Sequence, residues 1–215
     1  MPDLFDPLTL RGVTMRNRVG ISPMCQYAST DGFTNDWHVV NLGSRAVGGA
    51  GLVIAEASGV EARGRITPGC LGIWKDDHIE GLTRMVTFCK AHGSATAMQI
   101  AHAGRKASVH TPWDGDHSLT ADEGAWETIA PMAESFDGAD GDICHTPHAM
   151  TETDIADVIE AFAQAARRSV EAEFDIVEIH GAHGYLIHQF YSPLTNRRDD
   201  AWGGSFTNRI RLALE

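Results

Sequence analysis

The sequence has no uninterrupted apolar stretch approaching the ~20 residues that a bilayer-spanning helix requires, so no membrane partner is expected. It has no C-x-x-C pair either: Cys25, Cys70, Cys89 and Cys144 lie far apart, which points away from a disulfide framework and from a structural zinc site. Basic residues are scarce, 17 against 29 acidic for a formal net charge of −12, and none form a stripe. Nucleic-acid binding depends on clustered Lys and Arg, so that class of partner is set aside. The N-terminus carries Asp3 and Asp6 and lacks the apolar segment of a signal peptide. A reduced, cytoplasmic setting is the expectation.

What is present is enough hydrophobic residue, 43% of 215, to bury one sizeable core, and residues 1–215 read as a single unit. Four runs have the unalternating apolar character of strands covered on both faces: Arg18–Ser22, Gly51–Ala55, Ala95–Ile100 and Asp175–Ile179. Helical segments separate them, at about Trp37–Val47, Asp77–His92 and Thr151–Ala172. The last opens on a capping-box pair, Thr151 and Asp154, and repeats Ile155, Val158, Ile159, Phe162, Ala166 and Val170 on one face. A further helix opens at Thr207 or Asn208. Between the third strand and the third helix, about 103–150, lies a long loop of little periodicity, in the position of a lid or substrate wall.

Repeated strand–helix units imply an α/β fold with a parallel sheet, doubly wound or closed as a (β/α)8 TIM barrel. A dinucleotide fold wants G-x-G-x-x-G after its first strand, and Ser22-Pro23-Met24-Cys25-Gln26-Tyr27 is nothing like it. The barrel is therefore expected, with only about the first four strand–helix units present, since a whole one takes ~250 residues and eight strands.

In such a barrel the residues just past each strand share one mouth. These are Pro23, Met24, Cys25 and Tyr27; Glu56, Ala57 and Ser58; Gln99, His102, Arg105 and Lys106; and His180, His183 and Tyr185. His180, His183 and Tyr185 are proton-handling groups that can converge on one small polar atom and its neighbour. Gln99, an amide in an apolar strand, fits either a heterocycle edge offering donor and acceptor or a core amide bonded to neighbouring backbone. Cys25 also reads as a small buried hydrophobe and Tyr27 as rim packing. His180 and His183 have a zinc reading, with Glu56 or Cys25 as third ligand, but no His-Glu-x-x-His helix accompanies them.

Ser22–Tyr27, Glu56-Ala57, Gln99–Lys106, His180–Leu186, Phe190–Arg198 and Gly203–Arg209 together resemble the Old Yellow Enzyme family of FMN-dependent ene-reductases. The nearer likeness is to bacterial NADPH dehydrogenases of the YqjM type, which carry a cysteine at the position of Cys25 and a tyrosine at that of Tyr27. The resemblance implies FMN at the barrel mouth, NADPH or NADH as reductant, and reduction of the C=C bond of an α,β-unsaturated carbonyl compound. Carried over, His180 and His183 bind the carbonyl or nitro oxygen, Tyr185 protonates the α-carbon, and Tyr27 reaches the substrate oxygen. Ser22, Pro23, Met24, Cys25 and Ala57 line the flavin, Cys25 tunes its potential, and Gln99 meets its pyrimidine edge. No metal is implied. The family's later strands carry an arginine that meets the flavin and the turns that hold its phosphate, so the expectation for this chain is an impaired activity and a homo-oligomer formed through exposed strand edges. Two alternatives stand beside it: a zinc-dependent barrel hydrolase using His180 and His183, and a non-catalytic half-barrel assembly module.

Overall fold

The structure, a computed structural model, describes residues 1–137 and 144–215. The chain opens on an antiparallel hairpin, β1 (Leu8–Leu10) and β2 (Val13–Met15), and then runs β3 (Gly20–Ile21), α1 (Asp36–Val47), β4 (Leu52–Gly59), α2 (Ile79–Ala91) and β5 (Ala95–Ala101). Two short strands follow in the long connection, β6 (Ile129–Ala130) and β7 (His148–Ala149). The chain continues through α3 (Glu152–Glu171), β8 (Ile176–Ile179), α4 (Leu186–Tyr191), α5 (Phe206–Arg209) and α6 (Arg211–Leu214).

The four predicted strands form one parallel sheet in the order β3-β4-β5-β8. A doubly wound sheet reverses its order at a switch point. No reversal occurs here, so the sheet is an arc of a barrel, with β3 and β8 as its edges. The predicted first strand shrinks to Gly20–Ile21, flanked by Arg18, whose N–H is bonded to the Leu4 carbonyl, and by Val19, whose carbonyl accepts from Gly51 and Leu52. The second predicted helix is preceded by a tight turn, Asp76–His78. The third begins as expected: Thr151 and Asp154 each bond the other's backbone N–H.

The larger core cluster lies between the sheet and α1, α2 and α3, where Val53, Ala55, Met98 and Ile100 meet Leu42, Leu82, Met85 and Ala165. A second cluster joins Ile129, Met150, Ile155, Val158, Leu186 and Phe190 beneath the loops. Phe162 of α3 packs against both. The connection from 103 to 150 is built rather than bare: β6 pairs in parallel with β7, and Ile129 is fully buried. Residues 138–143 of that predicted loop lie outside the described residues.

Candidate active site

Parallel pairing brings the C-terminal ends of all four strands to the same side. The register pairs Ile21 with Val53, Ala55 with Met98, and Gln99 with Glu178, so the loops starting at Ser22, Ala57, Gln99 and His180 leave the sheet as neighbours. Between Ala55 and Ser58 the β4 ladder slips by one residue. A bulge of this kind turns side chains out of their regular alternation, and here it falls on Glu56 and Ala57.

The loop after β3 is held from several sides. The Gln26 N–H donates to Glu56 Oε2 at 2.9 Å, Trp37 Nε1 to Gln26 Oε1 at 3.1 Å, and Asn35 Nδ2 to the Ala28 carbonyl at 2.6 Å. Tyr27 takes a left-handed backbone, φ 50°. Beneath it Gly69 leaves no room for a side chain, because a Cβ there would lie 2.5 Å from the Tyr27 carbonyl oxygen. The Tyr27 hydroxyl and the Cys25 thiol are hydrogen-bonding partners. Burial, then the neighbouring Cys70 and Glu56, push the Cys25 thiol up to about 12. Burial followed by Cys25 and Tyr185 raises the Tyr27 phenol. Tyr185 is raised too, by burial first and then by Cys25 and Cys70. Charges on the first-loop phenol and thiol, on the fourth-loop phenol and on Cys70 therefore act on one another.

On the fourth loop the rings of His183 and Tyr185 meet that of His180 edge-on, their centroids 5.0 and 5.1 Å from its own. His180 is buried, and burial followed by His183 lowers its pKa, so it is a neutral ring near pH 7. The Ala182 N–H points at His180 Nδ1 at 3.3 Å, which assigns the hydrogen to Nε2 and makes that atom a donor. His183 and Gly184 are both left-handed, φ 58° and 77°. Three side chains hold the pair: Lys106 Nζ bonds the His183 carbonyl at 3.0 Å, Gln189 Nε2 the Gly184 carbonyl at 2.7 Å, and His188 Nδ1 accepts from the Gly184 N–H at 2.9 Å.

Not every predicted residue reaches the mouth. His102 is buried and committed elsewhere: Nε2 bonds Glu61 at 2.7 Å and Nδ1 accepts from the Gly104 N–H. Arg105 serves the long loop, bonding the Glu134 and Ser135 carbonyls. Ser22 and Met24 are exposed, Pro23 is half-buried, and Ala57 and Gln99 are buried. Gln99 is not bonded through its amide to neighbouring backbone, one of the two readings left open; its Nε2 donates to Glu178 Oε1. Cys70, Glu178, His188 and Gln189 were not anticipated. The polar pair His188-Gln189 between Leu186-Ile187 and Phe190 is the one visible signal for the last two. Among the described residues no group of three His, Cys, Asp or Glu could hold a metal ion, so the zinc alternative finds no third ligand for His180 and His183.

A family model described as "NADH:flavin oxidoreductase / NADH oxidase family" matches residues 3–215. An NADPH dehydrogenase of Geobacillus sp. (strain WCH70) is 48% identical over 214 residues, covering 99% of this chain and 57% of its own length. Among solved structures, the old yellow enzyme homologue from Zymomonas mobilis superposes with a TM-score of 0.86 at 30% identity, over 99% of this chain and 57% of that one. Morphinone reductase in complex with tetrahydroNAD gives 0.84 at 32%, over 100% and 59%. The chain spans just over half the length of the relatives it matches.

Proposed function

The chain belongs to the NADH:flavin oxidoreductase / NADH oxidase family, as a partial TIM barrel, and from that membership we propose that its strand-end cluster reduces the C=C bond of α,β-unsaturated carbonyl compounds. FMN and a reduced nicotinamide, NADPH or NADH, are the redox pair of this family. The zinc-hydrolase alternative falls with the membership.

The residues present fit a flat heteroaromatic group with one polar edge. Gln99 is buried, yet its amide oxygen accepts no hydrogen bond among the described residues, so it has a valence to offer. Ala57 is small, and Met24 is 52% exposed beside it on the neighbouring strand end. In this reading Ser22, Pro23, Met24, Cys25 and Ala57 line the flavin and Gln99 meets its polar edge. When bound, FMN supplies the hydride that the alkene's β-carbon takes up.

The rest is the work of side chains. Negative charge grows on the carbonyl oxygen as the alkene is reduced, so donors set in advance favour the transition state over the ground state. His180 offers Nε2–H while neutral, with His183 and Tyr27 as further contacts to that oxygen. Tyr185, raised by burial, keeps its proton at neutral pH and gives it to the α-carbon. The observation that carries the reading is the edge-on meeting of the His183 and Tyr185 rings with that of His180 at the end of β8.

Tyr185→Phe tests it. Alkene reduction should slow by about 10²-fold or more, while anaerobic reduction of bound FMN by NADPH, followed in visible absorbance, keeps its rate. Equal loss in both half-reactions would remove Tyr185 from the proton step.

A further inference from the structure

Gln99 can face a ligand with either end of its amide, and one end is a donor, the other an acceptor. Strand alternation sets its face: Met98 and Ile100 belong to the core packed on the helices, so Gln99 points to the opposite face, as do the small residues Ala97 and Ala101. Glu178 is its register partner on β8, and His180, two residues further on, falls on the same face. Of the groups Gln99 could bond, the structure uses one, the Glu178 carboxylate, which receives the amide Nε2–H. A carboxylate accepts and does not donate, so the opposite amide orientation would set oxygen against oxygen.

Resting on the flavin reading above, we infer that Glu178 is a positioning residue: it fixes the Gln99 amide so that the carbonyl oxygen faces the mouth and selects a heterocycle presenting an N–H, the imide N3–H of the isoalloxazine ring. Glu178 acts through Gln99 and need not touch the ligand. With Nε2 turned to Glu178 and the side chain buried, the oxygen is the end of the amide left for a bound ring. A ring alkylated at that nitrogen lacks the hydrogen that this oxygen accepts.

The test compares FMN with N3-methyl-FMN by quenching of flavin fluorescence, which needs no turnover. The wild-type chain should bind FMN about tenfold or more tightly than the methylated analogue, as expected where a site built for an N–H meets a ligand lacking it. Glu178→Gln offers Gln99 a donor as well as an acceptor, so it permits either amide orientation and should lower that preference below the wild-type value. Glu178→Leu removes the acceptor, frees the amide, and should bring the ratio to about twofold or less. Far-UV circular dichroism checks folding, and Glu178→Ala, with less bulk and the same lost acceptor, carries the same expectation should the Leu variant not fold. Equal binding of the two flavins by the wild type, or full preference in a folded acceptor-less variant, would overturn the inference. A wild-type chain that binds neither flavin would sink the functional reading first.

Discussion

At the scale of single residues, the first loop keeps its acids protonated. Cys25 is partly accessible, yet burial of its sulfur with Cys70 and Glu56 nearby leaves a thiolate fraction on the order of 10⁻⁴ at pH 8. Iodoacetamide should therefore modify Cys25 at least about 10²-fold more slowly than a free small thiol at pH 8, with the rate climbing steeply above pH 10; peptide mass spectrometry reads the yield. Fast labelling at neutral pH would show a thiolate the surroundings do not favour. The residues of the mouth were legible in the sequence because strand ends can be read from apolar runs, and each run is followed by polar, proton-bearing side chains. Their partners were not. Gln99 and Glu178 stand 79 residues apart, and only the pairing of β5 with β8 makes them neighbours.

Among the elements, β4 carries the most consequential irregularity. Its bulge leaves Glu56 4% exposed, where burial raises the carboxyl to about 7 against the opposing pull of the Gln26 and Leu71 backbone N–H groups. From about pH 4.5 to about pH 7 the folded chain holds a proton on Glu56 that the unfolded chain has released. Stability therefore falls as the pH rises through that window and stays lower above it, by roughly 3 kcal/mol. Glu56→Gln, which still offers Gln26 an acceptor, should raise Tm at pH 8 and give no gain near pH 4; a gain at both would deny Glu56 this role. The four strands and three long helices were readable because each spans enough residues to show its period. The β1–β2 hairpin was not, since three-residue strands have no period and the turn residue Arg11, φ 52°, is no usual choice for a left-handed position. Helix α4 escaped for the same reason: six residues make fewer than two turns.

For the molecule as a whole, the sheet ends on β8, where Ile179 is 55% exposed. It belongs to an apolar groove with Val177, Phe162, Ile159, Ile187 and Leu212. Exposed strand edges with apolar flanks favour association, and we propose that the chain self-associates there. Ile179→Lys should shift sedimentation velocity profiles toward smaller species at equal concentration, and an unchanged distribution would place any contact elsewhere. The barrel arc was visible in the sequence; the groove was not, because it is assembled from α3, β8, α4 and α6 together. The left-handed pair at His183 and Gly184 has a consequence for recognition at this scale. Lys106 comes from the loop after β5, His188 and Gln189 from α4, so the backbone that carries the His183 imidazole is fixed by distant parts of the scaffold. A backbone fixed in advance leaves less to be ordered when a molecule docks, and that saving is what allows a small guest to be held in one pose.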